Sequence, residues 1–154
     1  MALEPPPDGS RWWPFWNALT RFHAALYRLT GGRLGAKQRG VPCLLLHHVG
    51  RKSGERRTTP LMYLADGDDL VIVASKGGRA TNPAWWLNLR EKPSTTVRVG
   101  REERAVTARQ ASPEEKERLW PRLVELYANY DEYRKRTDRD IPVVILRPET
   151  PATP

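Results

Sequence analysis

Cysteine is nearly missing from this chain of 154 residues: the only one, Cys43, sits in the apolar run 41–46. No internal disulfide can form, so a reducing compartment is expected, and Cys43 reads as a core residue rather than a nucleophile. Histidine is almost as scarce. His23, His47 and His48 lack metal-ligand spacing, since neighbours on a strand point to opposite faces, and no metal site is expected. A serine hydrolase is excluded for want of a Gly-x-Ser-x-Gly elbow. No stretch reaches the roughly 20 apolar residues of a spanning helix. The acidic, proline-rich residues 1–10 carry neither the basic nor the apolar region of an export signal, so a cytoplasmic location is expected.

Acidic residues are absent over one long stretch. From Gly9 to Gly54 there is no Asp or Glu, while Arg11, Arg21, Arg28, Arg33, Lys37, Arg39, Arg51 and Lys52 add eight positive charges. The rest of the chain balances 18 basic against 18 acidic residues, so the whole net charge of +8 comes from the first third. An excess so localised points to an anionic surface or ligand met by that segment, and no nucleic-acid partner is expected. Within it, Trp12, Phe15 or Trp16, Leu19, Phe22, Leu26 and Leu29 recur at steps of three and four, which predicts an amphipathic helix over 11–29. Its stripe either packs on the protein or lies on an anionic membrane, with residues 11–39 as the contact and the protein on the inner face of the cell membrane.

After Val41 the pattern changes to short apolar runs between turn residues. Strands are predicted at 43–49, 58–65, 70–75, 95–99, 103–111 and 142–146, with a hairpin turn at Asp66-Gly67-Asp68. Asn82 is expected to cap a short helix that starts at Pro83 and runs to about Leu89. Ser112, Pro113 and Glu115 form a capping box for a helix that Pro121 breaks or restarts before Tyr127. Six mostly antiparallel strands with few helices predict an α+β fold, a small barrel with peripheral helices. The expected division is an N-terminal tail and helix over 1–40, a barrel domain over 41–148 and a disordered tail over 149–154.

Three clusters could carry chemistry. The segment Gly50 to Pro60 holds four cations, three hydroxyls and two glycines, suited to phosphate or carboxylate oxygens but also to a solvated hairpin tip. Next, Ser75-Lys76-Gly77-Gly78 is followed closely by Asn82-Pro83 and Trp85-Trp86, so a helix N-terminus and flat ring surfaces lie near a glycine turn. That combination suits a phosphate-bearing ring system, although both tryptophans can equally be core. Finally, Tyr127, Tyr130 and Tyr133 are spaced by three. If helical they fan over one face, where phenols can stabilise a carbonyl that gains charge, or they are core aromatics.

Taken together these words resemble the deazaflavin-dependent nitroreductase family, the coenzyme F420-dependent quinone and nitro reductases of actinobacteria. Gly50-Arg51-Lys52-Ser53-Gly54 with Arg57 and Pro60, Ala74-Ser75-Lys76-Gly77-Gly78, and Asn82-Pro83 with Trp85 and Asn88-Leu89 come in the family's order, and the likeness runs from about Gly50 to Pro148. The resemblance implies a split β-barrel of the flavin-reductase type with F420 in a groove. Cofactor contacts then fall on Arg51, Lys52, Ser53, Arg57, Thr58, Thr59 and Pro60, on Ala74, Ser75, Lys76 and Gly77, and on Asn82, Pro83, Trp85, Trp86, Asn88 and Tyr130. Catalytic, substrate-side roles fall on Ser75, Trp85, Tyr127, Tyr130 and Tyr133. The implied reaction is hydride transfer from reduced F420 to a quinone, nitro compound or similar electrophile. Rival readings are an FMN-dependent reductase or oxidase on a similar barrel, and a non-catalytic module that binds a cofactor or RNA.

Overall fold

The computed structural model describes residues 6–34, 37–38 and 40–149. Along them run α1 (Trp13–Thr30), β1 (Lys37–Gln38), β2 (Val41–Val49), β3 (Arg56–Met62), β4 (Leu64–Asp66) and β5 (Asp69–Val73). A 3-10 turn (Lys76–Gly78) and α2 (Ala84–Glu91) follow, then β6 (Ser94–Val99), β7 (Glu102–Gln110), α3 (Pro113–Leu126), α4 (Asn129–Lys135) and β8 (Val143–Pro148).

Every strand pairing is antiparallel, in the order β1-β2-β6-β7-β8-β5-β4, with β3 on β2 as well. The strand expected over 58–65 is two. It bends at Tyr63, so that β3 pairs with β2 and β4 with β5, and the chain itself closes the sheet into the α+β split barrel that the sequence implied. Inside lie Leu44, Leu46, Ile72, Val97, Val106, Val144 and Leu146, with Trp85, Trp86 and Leu89 of α2 plugging one end. Alternation along each strand sends Val71, Val73, Val143 and Ile145 to the outer face, where α3 and α4 cover them with Leu119, Trp120, Leu123, Tyr130 and Tyr133.

Helix α1 lies over β3 and the outer face of β2, with much of its apolar stripe turned away from the barrel, the outward one of the two settings the sequence left open. Ala24 and Tyr27 are buried against Leu45, whereas Trp12, Phe15, Phe22 and Leu29 are 64%, 63%, 65% and 86% exposed. Tyr27 decides this rotation. Its hydroxyl donates to the Cys43 carbonyl at 3.1 Å and accepts from the Gly100 amide at 2.6 Å, which fastens the helix at a point the apolar spacing did not mark. The helix ends in a left-handed Gly31, and a Cβ on Gly32 would stand 2.8 Å from the Gly100 backbone.

Two more expectations are corrected. Pro121 neither breaks nor restarts its helix: α3 runs from the capping box of Ser112 and Glu115 straight through it to Leu126. Glu149, assigned to the C-terminal tail, donates its backbone N–H to Ala105 and accepts from Thr107. The remaining tail positions, 1–5 and 150–154, lie outside the described residues. No described helix is long and apolar enough to cross a membrane, and no group of metal-ligating side chains occurs among the described residues.

Candidate functional site

The hairpin joining β2 to β3 is tight because Gly50 and Gly54 let it fold on itself: the Gly50 N–H reaches the Glu55 carbonyl and the Gly54 N–H reaches that of Gly50, both at 2.8 Å. Arg51, Lys52, Ser53 and Arg57 are exposed on it. The loop is not left free. Asn88, buried on α2, accepts from the Arg51 backbone N–H at 3.0 Å and from its guanidinium at 3.3 Å. Asn88 therefore holds the hairpin from below through its side-chain oxygen.

Behind Asn88 stands His48. The Asn88 amide nitrogen meets His48 Nδ1 at 2.9 Å, and His48 Nε2 meets Thr59 Oγ1 at 2.9 Å. Since the Asn88 oxygen accepts from Arg51, its NH2 donates to Nδ1, and Nε2 carries the imidazole proton toward Thr59. Burial first, then the nearby Arg57 and His47, lowers the His48 pKa to about 4, so the ring is neutral, as an acceptor at Nδ1 requires. Period-two alternation separates its neighbours. Thr58 bonds His47 at 2.9 Å on the opposite face, and Pro60 pairs with Leu45, which packs on α1, so neither shares a face with Arg57 and Thr59 as a common cofactor wall would require.

At the other end of α2 lies the glycine turn. Lys76, Gly77 and Gly78 have φ of 46°, 63° and 76°, three successive left-handed residues of which Lys76 is no glycine. A non-glycine residue held there stores about 1 kcal/mol or more and marks a position that its surroundings dictate. Gly78 is required by contact: a Cβ there would meet the Tyr133 carbonyl at 2.6 Å and its Cα at 2.9 Å, so α4 is seated on the turn. Lys76 Nζ bonds Asp8 at 2.6 Å and Thr81 at 2.9 Å, Thr81 donates to the other Asp8 oxygen at 2.8 Å, and Nζ lies 5.5 Å from the Trp13 ring centre. These bonds hold the Asp8 carboxyl below the ordinary carboxylate range.

Asn82 does not cap α2. Pro83 occupies the cap position without a side-chain bond, its carbonyl accepting from Trp86 and Leu87, while the Asn82 oxygen accepts from Arg139 at 2.9 Å. Ser75 is buried at the start of the turn, and Ala74 is fully buried. Trp85 and Trp86 are 6% and 5% exposed, 6.5 Å apart edge to face in the barrel core, which is the core reading of the two that the sequence left open.

The tyrosines do cluster, though not on one helix face. Tyr127 lies in the break between α3 and α4 while Tyr130 and Tyr133 belong to α4, and the ring centres are 5.1, 6.2 and 6.4 Å apart. The Tyr127 and Tyr133 hydroxyls meet at 3.2 Å, and Asn129 donates to Tyr127 at 3.0 Å. Tyr130 is packed on Trp120, and burial pushes its phenol pKa upward. An open groove of about 1090 Å³ at Tyr63, Asp68, Arg104, Arg147 and Glu149 shares no residue with these clusters. Sequence reasoning missed His48, Asp8 and Arg139. Only Asp8 left a signal, as the last acid before the acid-free stretch.

A split barrel of this antiparallel topology is the flavin-reductase-like fold shared by F420-dependent reductases. Among solved structures, an F420-H2 dependent reductase is 39% identical, with a TM-score of 0.63 over 69% of this chain and 94% of that one. A domain-swapped dimer is 33% identical, with a TM-score of 0.67 over 87% and 98% of the two chains. The F420H(2)-dependent quinone reductase Rv1261c of Mycobacterium tuberculosis is 46% identical over 132 residues, 83% of this chain and 89% of that protein. The family profile described as F420H(2)-dependent quinone reductase matches residues 19–148. The chain belongs to that family, an oxidoreductase family whose cofactor is coenzyme F420. Its donor set fits such a cofactor: the turn already holds a carboxylate by a lysine and a hydroxyl, and the hairpin adds exposed cations.

Proposed function

We propose that this chain reduces quinones, or nitro compounds of similar electrophilicity, at the expense of reduced F420. The observation that carries the reading is the Asp8 carboxylate on Lys76 Nζ and Thr81 Oγ1, a seat for paired anionic oxygens beside the start of α2. Lys76 and the turn Gly77 to Pro83 would hold a phosphate or an acidic side chain of the cofactor there once it displaces the Asp8 carboxylate. Arg51, Lys52, Ser53 and Arg57 would meet the remaining negative charge, with charge-assisted bonds about twice as strong as neutral ones. When bound, reduced F420 supplies the hydride. The protein supplies position and polarity: Ser75 and the paired hydroxyls of Tyr127 and Tyr133 would donate to the acceptor oxygen as it becomes anionic. Tyr130, its pKa raised by burial, stays protonated and packs its ring against Trp120, Tyr127 and Tyr133.

The basic aromatic face of α1 supports peripheral contact with an anionic membrane from the cytoplasmic side, where a lipid-borne quinone resides. Trp12, Phe15, Phe22 and Leu29 are exposed beside Arg11, Arg21, Arg28 and Arg33, so apolar anchors and charges of the matching sign share one surface.

Titration of the purified chain with F420 and with FMN, followed by tryptophan fluorescence, tests the cofactor. Oxidation of reduced F420 on adding a short-chain quinone tests the reaction. F420 should saturate the signal and be turned over. Tighter binding of FMN would favour the FMN rival, and binding without turnover would leave only a cofactor-holding module.

A further inference from the structure

The guanidinium of Arg139, in the loop between α4 and β8, makes four hydrogen bonds. Its Nε donates to the Arg79 carbonyl at 2.7 Å, Nη1 to Asn82 Oδ1 at 2.9 Å, and Nη2 to the carbonyls of Ser75 at 2.8 Å and Ala74 at 3.2 Å. All four acceptors are neutral, and together they bracket the segment from Ala74 to Asn82. Burial draws the guanidinium pKa down, the cost of keeping a cation half inside the protein for this purpose.

What lies between the bracketing points is the left-handed run Lys76-Gly77-Gly78. A turn with a non-glycine residue at φ of 46° persists only where something holds both of its ends, and the planar fork of an arginine reaches several oxygens at once as a lysine ammonium cannot. Arg139 also satisfies the carbonyl oxygens of Ala74, Ser75 and Arg79 with a single cation, which ties the two ends of the turn together.

We propose that Arg139 is a positioning residue for F420: it touches no ligand, but fixes the turn so that Lys76 and Thr81 converge on the cofactor's anionic group. This rests on reading that turn as a cofactor seat. The test compares wild type, Arg139→Lys, Arg139→Ala and Asn82→Ala in three measurements: F420 affinity by tryptophan fluorescence, steady-state kinetics with reduced F420 and a short-chain quinone, and thermal midpoint.

Arg139→Lys should remain folded, bind F420 about 10-fold more weakly, and raise KM for reduced F420 more than it lowers kcat. Asn82→Ala, which removes one of the four bonds, should weaken binding about 3-fold. Millimolar methylguanidinium should restore part of the affinity of Arg139→Ala, which a general loss of stability would not permit. The proposal is overturned if Arg139→Lys or, where that variant does not fold, Asn82→Ala binds F420 as wild type does. It is equally overturned if methylguanidinium rescues nothing in a folded Arg139→Ala. A wild-type chain that fails to bind F420 overturns the cofactor reading along with it, whereas wild-type binding with unchanged variants overturns the role of Arg139 alone.

Discussion

At the scale of single residues, the neutral His48 gives the protein a defined acid sensitivity. The unfolded chain takes up a proton there near pH 6.5, the folded protein only near 4, so between these values the unfolded state binds more protons and stability falls as pH drops. The separation corresponds to about 3 kcal/mol. Urea unfolding at pH 7, 5.5 and 4.5 should show this decline, and His48→Gln, which keeps an amide in the network, should flatten it. An equally steep decline in the variant would trace the effect to other groups. On the hairpin, Lys52→Ala should weaken F420 binding by about 1 to 3 kcal/mol with native circular dichroism. Unchanged affinity would remove Lys52 from the site.

At the scale of elements, the contact between α4 and the glycine turn links the tyrosine cluster to the segment that carries Ser75 and Lys76. Gly78→Ala should cost about 2 to 4 kcal/mol, because the new Cβ at φ of 76° would overlap the Tyr133 backbone, and overpacking adds to the left-handed strain. Gly67→Ala provides the comparison. Its φ of 60° is as left-handed, but nothing stands within 4 Å of the added Cβ, so only the backbone penalty of about 1 kcal/mol applies. Denaturant midpoints of the two variants measure the difference, and equal losses would mean that α4 yields freely at this contact.

At the scale of the whole molecule, α1 serves two environments at once. One side is fastened to the barrel through Tyr27, while the other exposes large apolar rings among arginines. Removing the helix would uncover Leu45, so the membrane contact is tested better with surface changes. Phe15→Ser with Phe22→Ser should leave the thermal midpoint within a few degrees, yet sharply reduce sedimentation with anionic vesicles. Wild-type binding should weaken with salt but not vanish, since each cation near such a surface adds about 1 kcal/mol and the rings add an apolar share that salt does not screen. Failure of the wild-type chain to sediment with anionic vesicles would refute the contact.

What the sequence determined by itself is what local chemistry decides. Period-two runs, the capping box at Ser112 and the turn at Asp66-Gly67-Asp68 depend on neighbours a few residues away, and they appear close to where their spacing put them. The Gly50 to Pro60 and Ser75 to Asn88 words were legible for the same reason, since a cationic hairpin and a glycine turn are written in consecutive residues. Pairings across long separations were not. Asn88 with Arg51, Lys76 with Asp8, and Arg139 with Ala74 to Asn82 join residues 37 to 68 positions apart, and no periodicity encodes such a meeting. The rotation of α1 was equally hidden, because apolar spacing finds a stripe but not what will cover it. Two hydrogen bonds on one tyrosine, available only once β2 and the Gly100 turn are folded together, set which side of the helix faces in.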